Sequence, residues 1–279
     1  MADQVYEVLA GACGVTFFTW VQHHAPVRLL AASSNDALRD RWLPRLCSGD
    51  VLGGVAFAHL RRPGPPAIVA TRVDGGWSLT GEAPWVTSWG LAGVFAVASR
   101  VGERVLYVLV EAHDDEQLRA SAPLRLVAMQ ASRTVRLRFD GLRVPDGDVI
   151  VDQPFAAWQA RDRVVTAQPQ PAPFGVATTA TRLLGEIDAT AAAALVAERD
   201  DCRAQITAAD PDDLDRLVHL RAWSLDLAAR SAQALVAASG GRAMQLDHPG
   251  QRLVREAAFY AIQAQTPPLR RALLDRLTR

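Results

Sequence analysis

Asp247 carries a carboxylate, a side chain that can act as a general base. It follows the glycine pair Gly240-Gly241 and directly precedes His248-Pro249, where a helix is predicted to begin. A carboxylate in a pocket closed to water has a raised pKa and can act as a general base at neutral pH. An aspartate just before a helix is also a common N-cap, so the residues alone leave both roles open.

Trp85 and Thr87 lie two positions apart in a strand-like stretch, and Ser88 follows them. Alternation along a strand would place Trp85 and Thr87 on one face of a sheet. On that face they either pack inside the sheet or offer an aromatic surface and a hydroxyl to a ligand.

Composition excludes several kinds of chemistry. All 30 basic residues are arginine, so a Schiff-base lysine, a P-loop lysine and Ser–Lys catalysis are excluded. The three cysteines form no CxxC pair, which predicts neither disulfides nor a zinc site. His23 and His24 point in different directions on a helix, so we expect no metal site.

The charge pattern also limits the partners. The chain has 30 basic and 30 acidic residues, which gives no electrostatic reason to expect nucleic acid or an anionic membrane. The N-terminal residues lack the basic region of a secretory signal, and no apolar run is long enough to span a membrane. We therefore expect a cytoplasmic protein.

Hydrophobic spacing divides the chain into three predicted domains. Residues 1–50 have helical spacing, residues 51–155 contain short β-branched runs separated by turns, and residues 156–279 are helical again. The predicted fold is therefore an N-terminal helical remnant, an antiparallel β-barrel or sandwich, and a C-terminal helical bundle.

Local signals set the expected boundaries. Ser34-Asn35-Asp36 begins a helix with Pro44 near its end, and residues 47–50 form a turn. Asp74-Gly75-Gly76 predicts a hairpin. Residues 211–213 begin a long helix that Ser239-Gly240-Gly241 breaks, and two further helices follow His248 and Thr266.

Four motifs in this order resemble the acyl-CoA dehydrogenase family. Residues 42–49 (WLPRLCSG) are similar to the family's YLPxLxxG, and residues 75–88 (GGWSLTGEAPWVTS) to the hairpin that leads into GxKxWITN. Residues 135–145 (VRLRFDGLRVP) resemble VxFDxVxVP, and residues 240–257 (GGRAMQLDHPGQRLVREA) resemble GGxGxxxExPxxRxxRDA.

This resemblance implies a flavoenzyme. The family holds FAD between the barrel and the C-terminal helices and desaturates acyl-CoA thioesters. A carboxylate removes the α-proton while the β-hydrogen leaves as hydride to the flavin, and an electron-transfer flavoprotein usually takes the electrons. The implied partners are thus an acyl-CoA or acyl-carrier thioester, that flavoprotein, and a second acyl-CoA dehydrogenase subunit in a homodimer or heteromer.

The resemblance also assigns roles to residues. Asp247 lies where most members place the base glutamate, and Arg252 and Arg255 match the arginines that order the base loop or bind phosphates. Ion pairing with Glu256 is the alternative role for these arginines. The residues expected at FAD are Trp85, Thr87, Ser88, His59, Gly240 and Gly241.

Several departures from the family pattern bear on activity. Aspartate is one methylene shorter than glutamate, roughly 1.5 Å less reach. In the first flavin loop, residues 59–66, only the glycine matches, and Pro65 and Pro66 cannot donate hydrogen bonds. The family's first helices and its RxxFGxxI segment have no counterpart, and Ala237 replaces a glutamine that grips FAD. Either the gene starts upstream or another chain fills the gap.

Two further functions therefore stay open beside dehydrogenation. The chain could be a non-catalytic subunit of a heteromeric acyl-CoA dehydrogenase, which the missing helices favour. It could also be a flavin-dependent monooxygenase on the same fold, since that reaction needs no carboxylate base.

Overall fold

The computed structural model describes residues 2–278. Contacts divide the chain into two compact units. The sheet unit consists of residues 18–126 and 130–161, and the helical unit of residues 1–17, 127–129 and 162–279. The expected order of helices, sheet and helices along the chain is confirmed, while the predicted domain ranges 1–50, 51–155 and 156–279 stay a prediction about sequence segments.

The sheet unit contains one eight-stranded sheet in the order β6-β7-β3-β2-β4-β5-β8, with β1 paired to β4. It is mixed rather than purely antiparallel, because β1 and β2 both pair with β4 in parallel. The strands are β1 (Gly53–Ala56), β2 (Ile68–Val73), β3 (Gly76–Val86), β4 (Val94–Val101), β5 (Arg104–Glu111), β6 (Leu118–Ala120), β7 (Val135–Pro145) and β8 (Val149–Pro154).

The two central strands, β4 and β5, are buried on both faces. Alternate residues such as Phe95 and Leu106 contribute to one apolar cluster, and their neighbours Val94 and Tyr107 contribute to another. The second cluster lies against α3, whose Leu38, Trp42 and Leu46 are buried. This double burial explains why the two strands read as continuous apolar runs instead of alternating ones.

Helices form the rest of the described chain. They are α1 (Ala2–Ala12), α2 (Gly14–Ala31), α3 (Asp36–Ser48), α4 (Phe155–Ala167), α5 (Pro171–Gly185), α6 (Ala189–Ala208), α7 (Leu214–Ser239), α8 (Pro249–Ile262) and α9 (Pro267–Leu277). Within residues 2–278, no helix has both the length and the apolar character needed to cross a membrane.

The helical unit is centred on α5, which packs against α1, α6, α7 and α8. The crossing of α1 and α5 is close because glycines face each other there. A Cβ atom built on Gly175 would lie 2.3 Å from the Glu7 carbonyl oxygen, and one built on Gly11 would lie 2.7 Å from the Gly175 carbonyl oxygen. Side chains at these two positions would force the helices apart.

A buried arginine joins three helices of the same unit. Arg221 on α7 is only 2% exposed. Its guanidinium donates to the carbonyl of Thr166, near the end of α4, and to that of Gln263, which follows α8, at 3.0 Å. Carbonyls at helix ends lack partners within their own helix and carry partial negative charge, so the guanidinium satisfies both.

Most of the predicted helix starts and the predicted hairpin are present in the structure. Asn35 caps α3 by accepting from Leu38 N–H, Asp74 and Gly75 form the β2–β3 hairpin, and His248 and Thr266 cap α8 and α9. The turn predicted at residues 47–50 was wrong at its start, since α3 continues through Pro44 to Ser48 and ends at Gly49 with a φ of 81°.

Candidate functional site

Three of the residues expected at FAD, Trp85, Thr87 and Ser88, lie where β3 ends. A bulge between Ala83 and Val86 interrupts the pairing of β3 with β7. The alternation on which the shared face of Trp85 and Thr87 was predicted is therefore broken. Trp85 is 51% exposed, whereas Thr87 is only 5% exposed. The strand end thus presents a free indole surface next to a buried hydroxyl.

Ser88 has two features that lower the stability of the folded protein. Its φ is 74°, in the left-handed region that non-glycine residues seldom adopt. Its side chain is buried, and the hydroxyl has no hydrogen-bond partner among the described residues. The conformation is held by the Ser88 N–H, which donates to the Ser132 carbonyl at 2.8 Å. Strain and an unpaired buried hydroxyl at one residue are features that concentrate at functional sites.

Three buried hydroxyls form a chain beside Ser88. The Thr134 Oγ1 lies 3.2 Å from the Thr87 Oγ1 and 3.0 Å from the Ser132 Oγ. All three side chains are at most 6% exposed. The sequence reasoning named Thr87 and missed Thr134 and Ser132, which lie just before β7 and outside the four motifs.

His59 lies in a short 3₁₀ helix, Ala58–Arg61, and its ring is buried. Its Nε2 donates to the Ala98 carbonyl at 2.9 Å, which leaves Nδ1 as an acceptor. Burial lowers the pKa of His59 to about 4, so the ring is neutral near pH 7. The segment that follows, residues 62–66, is exposed and contains no strand or helix.

The second group of expected residues lies between α7 and α8. Gly240 ends α7 with a φ of 59°, and a Cβ built on Gly240 or Gly241 would meet nothing within 4 Å. Asp247 lies in a turn and is exposed. Within residues 2–278 its carboxylate has no hydrogen bond or ion pair.

The capping role considered for Asp247 is wrong. The N-cap of α8 is His248, whose side chain accepts from the Gly250 N–H at 3.1 Å. The reason is positional, because α8 begins at Pro249 and the cap must immediately precede it. Asp247 is thereby left with a carboxylate that the helix does not use.

Arg252, expected near phosphates, is engaged inside the helical unit. Its guanidinium donates to the Glu256 carboxylate at 2.7 Å and to the Gly11 carbonyl at 2.9 Å. Arg255 is half-buried. Of the roles considered for Arg252, the ion pair with Glu256 is the one observed.

Glu256 is a buried ionisable residue close to Arg252, and the sequence did not predict it as a site residue. It is 4% exposed, and its carboxylate accepts from the Gly14 N–H at 2.9 Å. Burial raises its pKa, while the Arg252 charge opposes that rise. A Glu four residues after an Arg on a helix was the available signal for an ion pair, and this spacing carries no information about burial.

Among the described residues, no group of three or more histidine, cysteine, aspartate or glutamate side chains could hold a metal ion.

Sequence comparison finds acyl-CoA dehydrogenases. The chain is 24% identical over 304 residues to the mitochondrial 2-methylacyl-CoA dehydrogenase of Solanum tuberosum, covering 96% of this chain and 72% of that protein. It is 26% identical over 144 residues to the benzylmalonyl-CoA dehydrogenase of Aromatoleum aromaticum, covering 50% of this chain and 38% of that one. No family model matches the chain.

Structure comparison agrees on the fold. A glutaryl-CoA dehydrogenase from Mycobacterium smegmatis, solved in complex with FADH2, superimposes with a TM-score of 0.72 at 17% identity. The superposition covers 91% of this chain and 72% of that one.

Proposed function

This chain is a divergent relative of the acyl-CoA dehydrogenases, and from that premise we propose that it is an FAD-dependent oxidoreductase that desaturates an acyl thioester between its α and β carbons. The observation that carries the proposal is the end of β3, where the exposed Trp85 indole is followed by the unpartnered, buried Ser88 hydroxyl. A flat aromatic ring with polar edges would satisfy both.

One residue of the sheet unit favours a bound ligand such as a flavin. The Ser88 hydroxyl needs a hydrogen-bond partner that residues 2–278 do not supply. Gly240 and Gly241, in the helical unit, lie in open space, and their place at the cofactor is what the resemblance implies. The contribution of residues 59–66 is reduced, since the His59 Nε2 is already bonded and Pro65 and Pro66 have no N–H.

Asp247 is the proposed base. FAD, when bound, would accept the hydride that leaves the β-carbon. Asp247 would remove the α-proton with a carboxylate that is free because His248 caps α8. Asp247 is exposed, so the role requires that bound cofactor and thioester cover the 240–248 loop and exclude water. The shorter side chain further requires the substrate to lie closer to the backbone than a glutamate would need.

Arg255 is the better candidate for contact with an anionic part of the substrate, since the Arg252 guanidinium is occupied by Glu256 and Gly11. The proposed substrate is an acyl-CoA or acyl-carrier thioester, and the proposed electron acceptor is an electron-transfer flavoprotein. We place the protein in the cytoplasm as a homodimer or as a heteromer with another acyl-CoA dehydrogenase subunit.

A spectroscopic titration tests the proposal. The purified protein should be yellow, and anaerobic addition of a series of acyl-CoAs should bleach its flavin absorption without NADH. A colourless protein that also fails to bind added FAD would favour the non-catalytic subunit. A yellow protein that acyl-CoA leaves unbleached, but that NADH reduces and oxygen reoxidises, would favour the monooxygenase.

Variants at Asp247 test the base. Asp247→Asn should retain flavin but bleach at least about 100-fold more slowly, as expected when a general base is removed. Asp247→Glu should bleach at or above the wild-type rate. Asp275→Asn, exposed on α9, is the control and should behave as wild type. Equal bleaching by D247N and the wild-type protein would exclude Asp247 as the base.

A further inference from the structure

We infer that Thr134 is a positioning residue, which together with Ser132 turns the Thr87 hydroxyl into a hydrogen-bond donor toward the flavin. The inference rests on the proposed function, because it specifies how one residue of that site addresses the ring. It concerns two residues, Ser132 and Thr134, that no motif of the resemblance includes.

Each hydroxyl of the chain Ser132–Thr134–Thr87 has a single proton to donate. The distances of 3.0 Å and 3.2 Å allow the protons to run in either direction along the chain. In one direction Ser132 donates to Thr134 and Thr134 donates to Thr87. In the other, Thr87 donates to Thr134 and Thr134 donates to Ser132.

The two directions differ in which proton is left over. When the chain runs from Thr87 to Ser132, the Ser132 proton has no acceptor among the described residues, although Ser132 is fully buried. When it runs from Ser132 to Thr87, the remaining proton is that of Thr87. A ligand with an acceptor atom then satisfies the last donor, and every hydroxyl proton of the chain is used.

A bound acceptor therefore selects one direction. Chains of hydroxyls that donate in sequence also polarise one another, which strengthens the terminal donor. Thr87 thus acts as a donor to an acceptor atom on the edge of the flavin ring, and Thr134 sets that polarity. Donors at this edge stabilise the electron-rich, reduced ring more than the oxidised one.

The position of the three hydroxyls also fits this role. The Ser132 carbonyl accepts the hydrogen bond from the Ser88 N–H at 2.8 Å and so holds the strained backbone of Ser88. Residues 87–88 and residues 132–134 are therefore joined by both a backbone bond and the hydroxyl chain. Loss of the hydroxyls alone should leave the backbone bond in place.

The test compares Thr134→Val, which keeps the side-chain shape, with Thr134→Ser, which keeps the hydroxyl. Two properties are measured on the full chain: the dissociation constant of FAD and the midpoint potential of the bound flavin. Thr134→Val should weaken FAD binding about fivefold, as expected for one lost hydrogen bond, and should make the potential more negative. Thr134→Ser should restore both.

A double variant separates positioning from packing. If Thr134 acts through Thr87, then T87V and T87V/T134V should have the same FAD affinity and the same potential. Ser99→Ala is the matched control, because it removes another fully buried hydroxyl of the sheet unit, one that donates to Leu106. S99A should change neither property.

The outcomes are distinct. Wild-type affinity and potential in T134V, or additive losses in T87V/T134V, would overturn the positioning role while leaving the proposed function intact. Failure of the wild-type protein itself to bind FAD would overturn the proposed function and this inference together.

Discussion

The Glu256 carboxylate accepts a hydrogen bond from the Gly14 N–H, the first residue of α2, at a distance of 2.9 Å. One turn earlier on α8, Arg252 donates both to this carboxylate and to the Gly11 carbonyl in the last turn of α1. One ion pair therefore serves the unpaired end groups of two consecutive helices. It also holds the first turn of α8, which immediately follows the loop that carries Asp247.

Glu256→Ala should destabilise the protein by about 3 kcal/mol, because it leaves the Gly14 N–H and the Arg252 guanidinium without their acceptor. Glu256→Gln should cost only about 1 kcal/mol, since an acceptor oxygen remains. Burial raises the pKa of Glu256, so the folded environment penalises the charged carboxylate more than water does, and the neutral amide avoids that penalty. Urea unfolding followed by circular dichroism measures both variants.

The control for Glu256 is Glu186→Ala. Glu186 pairs with Arg182 at 3.0 Å on the surface, with both side chains largely exposed, so its loss should cost no more than about 0.5 kcal/mol. Equal losses in the two alanine variants would show that the Glu256 network contributes no more than a surface pair.

His59 should make the protein acid-sensitive in a defined range. Burial lowers its pKa from 6.5 to about 4, so the unfolded chain binds a proton that the folded chain does not. Stability is therefore fully present above pH 6.5 and is lost as the pH falls toward 4, by up to about 3 kcal/mol. His59→Gln can still donate to the Ala98 carbonyl but does not titrate.

Unfolding free energies measured at several pH values check this expectation. The decrease between pH 6.5 and pH 4 should be smaller in His59→Gln than in wild type. His219→Gln, exposed on α7, should show the wild-type decrease. Parallel pH profiles for H59Q and wild type would contradict the assignment of the decrease to His59.

The sequence predicted the elements well because their signals are local. Asn35 before α3, the Asp74-Gly75 hairpin and Thr266 before α9 each act through neighbours within a few residues. The parallel pairing of β1 and β2 with β4 joins distant strands. It was not predictable because local spacing carries no information about which strand lies beside which.

In the candidate site, too, features set by local sequence were predictable and features set by distant contacts were not. The motif around Trp85 identified the strand end, but the bulge after Ala83 depends on pairing with β7 and changed which side chains are exposed. Glu256 likewise became a candidate only when its burial and its bond to Gly14 were known. Burial of a charged residue is set by tertiary contacts and cannot be read from neighbouring residues.

Arg221 should be among the least replaceable charged residues of the helical unit. Arg221→Met fills similar volume but leaves the carbonyls of Thr166 and Gln263 without a donor, which should cost about 3 kcal/mol. Arg221→Lys should destabilise the protein less than Arg221→Met does, but it should still lower stability, because a single ammonium lacks the planar fork that reaches both carbonyls. Arg216→Met, exposed on the same helix, serves as the control in urea unfolding and should change stability little.

Gly175 gives the sharpest test of the α1–α5 crossing. Gly175→Ala adds one methyl group, which would lie 2.3 Å from the Glu7 carbonyl oxygen and 2.9 Å from the Gly11 nitrogen. Because both contacts are backbone atoms, no side chain can move aside, and the helices must separate. The expected loss is about 3 kcal/mol, at the upper end of what added bulk in a packed core usually costs.

Gly185→Ala is the matched control, since it places the same methyl group on the same helix. There the nearest atom is the Ala192 Cβ at 3.6 Å, an ordinary contact, and alanine favours the helix over glycine. G185A should therefore be neutral or slightly more stable, while G175A should lower the urea midpoint clearly. If G175A unfolded at the wild-type urea concentration, α1 and α5 could not be in the close backbone contact that the glycines allow.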